Sequence, residues 1–260
     1  MSHKLNVACL VSVGRHPASG RDRRSQVDAC AVQMGLALAG KELDMVHVGD
    51  AANPALRSYL GMGLASMTVI EQPAAADVLP SLLAYLQKQN ADIILMGMRT
   101  EQGEASGMLP YALASQLGLP LVSGIVAVEE AAQGGYLVTQ ALARGQRRQL
   151  HVKGRFIASV DVAAPAGCQS AFGAAKRGQI ATAAGNAAND EETSAWVVRE
   201  AAKRMKRIGK AKAKGKSAAE RFKAATAAAP SKGGKVMVNE SITEKAEAVY
   251  RLLKEEKVVR

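Results

Sequence analysis

The sequence lacks three features that would assign chemistry directly: paired cysteines, clustered histidines and long apolar runs. Its three cysteines, Cys9, Cys30 and Cys168, lie far apart and form no CxxC pair. This argues against a disulfide framework or a metal site and favours reduced cysteines that pack among small residues. The four histidines are equally scattered, and only His16 lies in a predicted loop that a ligand could reach. We therefore expect no catalytic constellation.

The sequence also lacks membrane signals. No apolar run approaches the roughly 20 residues that a helix needs to cross a bilayer, and the start, Met1-Ser2-His3-Lys4, has no apolar signal-peptide core. We expect a globular cytoplasmic protein without membrane insertion. Its 260 residues, of which 48% are apolar, can bury one sizeable core, or one domain plus an appendage.

Positive charge is present but unevenly distributed. Residues 1–196 hold 16 basic and 16 acidic side chains, whereas residues 197–260 hold 18 basic and 7 acidic ones and carry the whole net charge of +11. We predict a neutral α/β body over 1–196 and a basic arm over 197–260. Apart from Phe222, the arm has no aromatic residues among its lysines to stack on single-stranded nucleic acid.

The end of the arm has a helical pattern. From Ser241 to Lys257 the apolar residues fall on one side of the predicted helix and the charges on the other, the apolar ones being Ile242, Ala246, Val249, Leu252 and Leu253. We expect this amphipathic helix to dock on a partner.

Within the body, apolar runs alternate with helical patterns. Predicted strands at 5–13, 45–49, 66–70 and 93–97 alternate with helices, which indicates a parallel sheet covered on both faces. Ligands of such sheets lie beyond the carboxyl ends of the strands, so the loops after Val13, Gly49 and Gly97 should face one site. Later short strands at 125–128, 136–141, 148–152 and 156–162 predict a meander of hairpins.

The most informative segment follows the fourth strand, where an apolar run opens into a polar loop with Gly97, Gly103 and Gly107. Glycines let the backbone approach a phosphate closely, and the following helix offers unpaired N–H groups to an anion. The spacing fits neither the Rossmann fingerprint nor the Walker loop. A phosphate-binding loop and an ordinary strand-to-helix turn therefore both stay open.

Taken together, these residues resemble the beta subunits of electron-transfer flavoproteins. The resemblance is carried by the buried first strand, the helix from Ala55-Leu56-Arg57 to Met62-Gly63, and segment 92–120 with its Ala-x-x-Leu-Gly-x-Pro ending. The meander, a small-residue loop at 165–177 and the terminal arm follow in the same order.

The resemblance implies a heterodimer whose alpha subunit holds most of an FAD, while the beta subunit helps to enclose it and holds a structural AMP. It implies an electron carrier and not an enzyme, which receives electrons from flavin-dependent dehydrogenases and passes them to a membrane quinone reductase. The implied fold is an adenine-nucleotide alpha-hydrolase-like (Rossmann-like) parallel-sheet body with a β-hairpin meander and an extended C-terminal arm. Nucleic acid is not an expected partner.

The resemblance also assigns cofactor-binding positions to the strand ends, the start of the first helix and the long loop. They are Leu10, Val11, Ser12, Ser25, Asp28, Val48, Gly49, Gly97, Arg99, Thr100, Gln102, Gly103, Glu104, Ala105, Ser106 and Gly107. The chain departs from the family at two of these places. Segment 25–28 replaces an Asn-Pro-x-Asp/Glu stretch, and the long loop is shorter and lacks the run of aspartates and the Asn-Gln-Thr.

A dehydrogenase-docking segment of the family corresponds to residues 170–177 here. Phe172 stands where the family has a leucine anchor, and Lys176 and Arg177 supply basic charge that would steer an acidic partner. The alternative is that Phe172 packs into its own domain.

Two rival functions remain open from the sequence. One is a stand-alone adenine-nucleotide-binding module, and the other is a DNA-associated protein that uses the lysine-rich tail.

Overall fold

The computed structural model describes residues 5–103, 105–190, 195–197, 217–219, 237–256 and 258. The chain divides into two compact units, Met1–Trp196 and Val197–Arg260.

A nine-stranded, mostly parallel sheet forms the centre of the first unit. Its strands, in spatial order, are β10 (Arg147–Val152), β9 (Tyr136–Ala141), β8 (Leu121–Glu130), β11 (Phe156–Val160), β7 (Ile93–Gly97), β1 (Val7–Leu10), β4 (Asp44–Gly49), β5 (Ser66–Glu71) and β12 (Gln179–Ala184). The seven strands from β8 to β12 in this order are parallel, and β9 pairs antiparallel with both β8 and β10. Mixed α/β architecture with a large parallel sheet is thus confirmed.

Helices cover both faces of the sheet. They are α1 (Gln26–Ala39), α2 (Arg57–Leu60), α3 (Val78–Gln89), α4 (Leu109–Leu117) and α5 (Phe172–Arg177). In β1, Val7 and Cys9 pack in one core with residues of α1 and α2, whereas Ala8 and Leu10 pack in a second core with residues of α3 and α4. Successive side chains of a strand point to opposite faces, so a strand covered on both sides must be apolar throughout, as β1 is.

The local sequence signals explain where the helices begin. Ser25 is the N-cap of α1 and accepts from the N–H of Asp28, and Asp77 caps α3 in the same way through the N–H of Leu79. A polar oxygen at this position satisfies a backbone donor that the helix itself leaves unpaired.

Two strand predictions are wrong. The predicted strand 5–13 ends at Leu10, and the chain then forms a separate hairpin of β2 (Val13–Arg15) and β3 (Asp22–Arg24). The predicted fourth strand of the meander leaves it: β11 inserts between β8 and β7 and runs parallel to both. Only β8, β9 and β10 form the meander. Two further short strands, β6 (Ala76–Asp77) and β13 (Ala188–Asn189), pair with each other.

The second unit contains helix α6 (Ile242–Glu255), which begins with a capping box between Ser241 and Glu244. Three of its apolar residues, Ile242, Val249 and Leu252, are exposed, as is Tyr250. None of the described helices combines the length and apolar character that a membrane crossing requires.

Candidate functional site

The strand order places a topological switch point between β1 and β7. After β1 the chain continues to β4 and β5 on one side, and it then returns to β7 on the other side. In open α/β sheets, ligands bind beyond the carboxyl ends of the strands at such a point. The loops after β7, β1 and β4 therefore share one edge of the sheet, as the sequence predicts.

Asp28, in the first turn of α1, joins the two strand ends at the switch point. Its Oδ2 accepts from the backbone N–H of Ser12 at 2.8 Å and from the Ser12 hydroxyl at 2.5 Å, and its Oδ1 accepts from the N–H of Gly97 at 3.1 Å. A Cβ at Gly97 would lie 2.2 Å from Asp28 Oδ1. Glycine is therefore required there for the close approach of the carboxylate.

Tyr59 of α2 also belongs to this hydrogen-bond network. Its hydroxyl donates to the carbonyl oxygen of Ser12 at 2.8 Å and accepts from the N–H of Ser25 at 2.8 Å. The switch-point network therefore comprises Ser12, Ser25, Asp28, Tyr59 and Gly97. The side chains of Ser25 and Asp28 are buried and engaged with neighbouring protein groups, so these residues shape the end of the sheet.

Burial raises the pKa of Asp28 to about 6, against the opposing effect of the hydrogen bonds from Ser12, Ser25 and Gly97. Burial also raises the pKa of Cys9 and that of Tyr59 well above their usual values, and the Asp28 carboxylate adds to both shifts. Desolvation favours the neutral form of each acid. In this network, hydrogen bonds from Ser12, Ser25 and Gly97 stabilise the charged form of the Asp28 carboxylate against the cost of burial.

His47 of β4 supports the end of β1 next to this network. Its Nδ1 lies 2.9 Å from the carbonyl oxygen of Val11, and because a carbonyl oxygen only accepts, Nδ1 carries the proton. Burial lowers the pKa of His47, which favours the neutral ring. The Nε2 atom lies 2.8 Å from the position that a Cβ at Gly49 would take. Gly49 thus leaves room for this imidazole.

The loop from Gly97 to Gly107 folds back on itself. The Thr100 hydroxyl donates to the carbonyl oxygen of Gln102 at 2.7 Å, and a Cβ at Gly107 would lie 2.9 Å from the carbonyl oxygen of Met98. Positive φ values at Gly103 (72°), Ala105 (51°) and Gly107 (78°) produce the turns. Left-handed backbone of this kind is what glycine provides at low cost.

Glu101 connects this loop to α1 and to the β2–β3 hairpin through hydrogen bonds and an ion pair. Its Oε1 accepts from the N–H of Gln26, the first residue of α1, at 3.0 Å. Its Oε2 accepts from the N–H of Arg15 at 3.1 Å and pairs with the guanidinium of Arg23 at 3.1 Å. We call these contacts the Glu101 clasp. A helix N-terminus favours negative charge, and here the chain supplies that charge itself.

A cleft of about 410 Å³ lies beside the clasp. Among the described residues, three arginines line it, Arg15, Arg23 and Arg99, together with one carboxylate, that of Glu101. Val27 of α1 and Val162, which follows β11, add apolar surface. The excess of guanidinium groups suits an anionic ligand, since guanidinium pairs well with phosphate and carboxylate oxygens.

The predicted cofactor-binding residues divide into four groups. Leu10 and Val11 are buried in the core, and Ser12, Ser25, Asp28 and Gly97 form the switch-point network with Tyr59. Among the loop residues, Arg99, Thr100 and Ala105 line the cleft, whereas Gln102 donates to the carbonyl oxygen of Val13. Val48 and Gly49 end the neighbouring strand β4, and Glu104 lies outside the described residues.

The predicted docking residues lie on α5, which is attached to α2. The N–H of Ala171 donates to the carbonyl oxygen of Gly61 at 2.9 Å. Phe172 begins the helix and is 82% exposed, so it does not pack into its own domain. Lys176 and Arg177 form the last turn and are also exposed. Phe172 and Lys176 are four residues apart and therefore share one face of the helix.

Sequence reasoning assigns no role to Tyr59 or Arg23, and none to Glu101 beyond its place in the loop. Tyr59 reads as an ordinary apolar position of a short helix. Glu101 lies 75 positions from Gln26 in the sequence, so no local pattern predicts their contact. The only hint in the sequence is charge: the loop carries an acidic residue, and the segment Arg21-Asp22-Arg23-Arg24 is basic. Cys168 differs from expectation, since it is exposed. His16 lies in an exposed loop as expected, and its ring accepts from the N–H groups of Ala18 and Ser19.

Comparison with known proteins gives the class first. A sequence model of the electron transfer flavoprotein domain matches residues 19–184. A curated relative, electron transfer flavoprotein subunit beta of Chromohalobacter salexigens, is 46% identical over 100% of this chain and 98% of its own length. The corresponding subunit of Syntrophomonas wolfei is 34% identical over 42% of this chain and 48% of its own length.

The chain therefore belongs to the electron transfer flavoprotein family. Its full-length similarity is to a beta subunit, and its role is that of an electron-transfer subunit: a carrier and not an enzyme.

Proposed function

We propose that this chain pairs with an alpha subunit, helps to enclose an FAD, and passes electrons from flavin-dependent dehydrogenases towards a membrane quinone reductase. The observation that carries the proposal is full-length identity of 46% to a beta subunit, joined to a ligand-sized cleft beyond the switch point of the sheet. When bound, the flavin supplies the redox chemistry, and the protein supplies position and electrostatics.

The cleft residues suit a nucleotide cofactor. Arg15 and Arg99 present guanidinium groups that can pair with phosphate oxygens, and Val27 and Val162 can cover an apolar ring. Ser12, Ser25 and Asp28 act indirectly in this proposal: they hold the ends of β1, β7 and α1 in fixed positions.

An AMP held by the loop from Gly97 to Gly107 is part of the same proposal, as is the assignment of the body to the adenine-nucleotide alpha-hydrolase-like fold. The support is the loop's return to the start of α4 and its left-handed backbone at Gly103, Ala105 and Gly107. These features bring backbone N–H groups to one end of the sheet.

Phe172, Lys176 and Arg177 are the proposed contact for the electron-donating dehydrogenase. The exposed aromatic side chain can enter an apolar pocket of the partner, and the two basic residues can steer an acidic surface towards it. Helix α6, with its exposed apolar residues, is the proposed contact of the basic arm 197–260 with the alpha subunit.

Co-expression tests the proposal. The chain would be produced with and without the alpha subunit encoded beside it, purified through a tag on this chain, and examined for its visible spectrum and released nucleotides. We expect a yellow complex with one FAD, and AMP beside it if the loop binds. A colourless chain that does not co-purify with the alpha subunit would refute the proposal.

A truncation distinguishes the roles of the two units. Removing residues 197–260 should weaken the complex and its flavin retention while leaving the body folded. A tight alpha–beta complex with full flavin content after this deletion would show that the arm does not bind the partner.

A further inference from the structure

We propose that Glu101 is a built-in competitor for the anionic group of a ligand in the arginine-lined cleft. Its carboxylate occupies the donors that an anion would use, and a phosphate group that enters the cleft displaces it from these donors. The inference rests on the proposed function in that the ligand is the phosphate of a nucleotide or free phosphate.

The cleft remains cationic when the clasp is closed. Glu101 neutralises one charge, chiefly that of Arg23, through the contact at 3.1 Å. Arg15 and Arg99 also line the cleft, and the Arg15 side chain donates to a neutral carbonyl, that of Gly20, at 3.1 Å. Two guanidinium groups therefore remain for a second anion.

The same atoms that bind Glu101 are ones that phosphate oxygens would use. Two are backbone N–H groups, those of Arg15 and Gln26, and the third is the Arg23 guanidinium. Both carboxylate oxygens are engaged, so the clasp closes the side of the cleft that has the strongest donors. A phosphate carries more oxygens and more charge than a carboxylate and can span Arg23 and the remaining arginines.

Glu101 also ties three elements together. Gly14 makes room for it, since a Cβ there would lie 2.9 Å from the Glu101 Cδ. When the carboxylate leaves, the loop after β7 loses its contact with α1 and its Glu101 contacts with the β2–β3 hairpin, while Gln102 still donates to Val13 and Asp22 of that hairpin. Ligand entry is therefore coupled to loss of the link between this loop and α1.

The test measures binding of inorganic phosphate, and separately of AMP, to the full chain by titration calorimetry at fixed ionic strength. Glu101→Gln should bind phosphate about tenfold more tightly than the unmodified chain, because the competing charge is gone. Glu129→Gln is the matched control, since it removes an exposed carboxylate of β8 and the same unit of net charge. Its affinity should equal that of the unmodified chain.

Adding Arg99→Gln to Glu101→Gln should reverse most of the gain, because Arg99 contributes to the cleft and not to the clasp. An equal gain for phosphate and AMP assigns the site to a free phosphate group, and a gain for AMP alone assigns it to a nucleotide. Equal affinities of Glu101→Gln and Glu129→Gln for both probes would overturn the proposal, and so would a gain that survives the loss of Arg99.

Glu101→Asp keeps the test decisive if Glu101→Gln does not fold. The shorter side chain retains the charge but cannot span Gln26 and Arg23 together, so it should show a smaller gain. An affinity equal to that of the unmodified chain would overturn the proposal. Flavin content of the co-expressed complex is a separate readout: a complex without flavin that still shows the Glu101 effect would refute the proposed function and leave this inference standing.

Discussion

The buried carboxylate of Asp28 should make the stability of this protein fall as pH rises. Burial raises its pKa from 3.8 to about 6, so between these values the folded state holds a proton that the unfolded state has released. Raising the pH through this window therefore favours unfolding. A shift of about two units, at about 1.4 kcal/mol each, amounts to about 3 kcal/mol.

Asp28→Asn isolates this effect because the amide cannot ionise. Relative to the variant, the free energy of unfolding of the unmodified chain should fall by about 2.4 kcal/mol between pH 4 and pH 7, because the unfolded carboxyl is already partly ionised at pH 4. The variant carries its own penalty at every pH, since the two Asp28 oxygens both accept from N–H groups and an amide NH₂ would face one of these donors. That penalty changes the offset between the two curves and not their slope.

Urea unfolding followed by circular dichroism at each pH measures the difference. Asp50→Asn, which removes an exposed carboxylate after β4, is the control and should not alter the pH dependence in this way. A difference between the unmodified chain and Asp28→Asn that stays constant or grows from pH 4 to pH 7 would refute the reasoning. It would mean that the three donors outweigh desolvation.

Three further substitutions test the site and the docking surface. Gly97→Ala places a Cβ 2.2 Å from Asp28 Oδ1 and should cost about 2 kcal/mol of stability or more, measured by urea unfolding. Tyr59→Phe leaves two buried backbone groups without their partner and should cost about 1–3 kcal/mol in the same assay. Phe172→Ala should slow electron transfer from the donor dehydrogenase about tenfold without changing stability, while Tyr111→Ala, an exposed aromatic of α4, should change neither.

The controls for these substitutions are available in the chain itself. Gly173→Ala, in the exposed helix α5, meets only the end of a flexible arginine at 3.2 Å and should be close to neutral. If Gly97→Ala were equally neutral, the contact between the backbone and Asp28 would be less tight than the structure has it. An unchanged transfer rate for Phe172→Ala would remove α5 from the docking surface.

The sequence predicts what depends on local periodicity. The uninterrupted apolar residues of β1 and β7 indicate strands buried on both faces, and the capping serine at Ser25 indicates the start of α1. Both features result from interactions within a few residues, so the pattern carries them. The shared ligand edge follows from them, since strands that alternate with helices pair in parallel. The strand order that creates the switch point does not follow from this pattern.

What the sequence does not predict depends on contacts between distant segments. The apolar run at 5–13 conceals the break after Leu10, because Val13 is apolar and nevertheless belongs to a hairpin. Strand β11 has two possible positions: at the edge of the sheet next to β10, or in the interior between β8 and β7. Burial of all five β11 residues in the interior of the sheet decides between them, and no turn signal reveals it.

The two carboxylates at the candidate site, those of Asp28 and Glu101, play similar roles at different backbone donors. Asp28 binds the N–H groups at the ends of β1 and β7, and Glu101 binds those at the start of α1 and in the β2–β3 hairpin. Each therefore supplies negative charge to donors of the kind that hold a phosphate in nucleotide-binding sheets. Glu101 anchors the loop after β7 directly to α1. The protein's own carboxylates therefore satisfy these donors, and Arg15 and Arg99 line the cleft beside them.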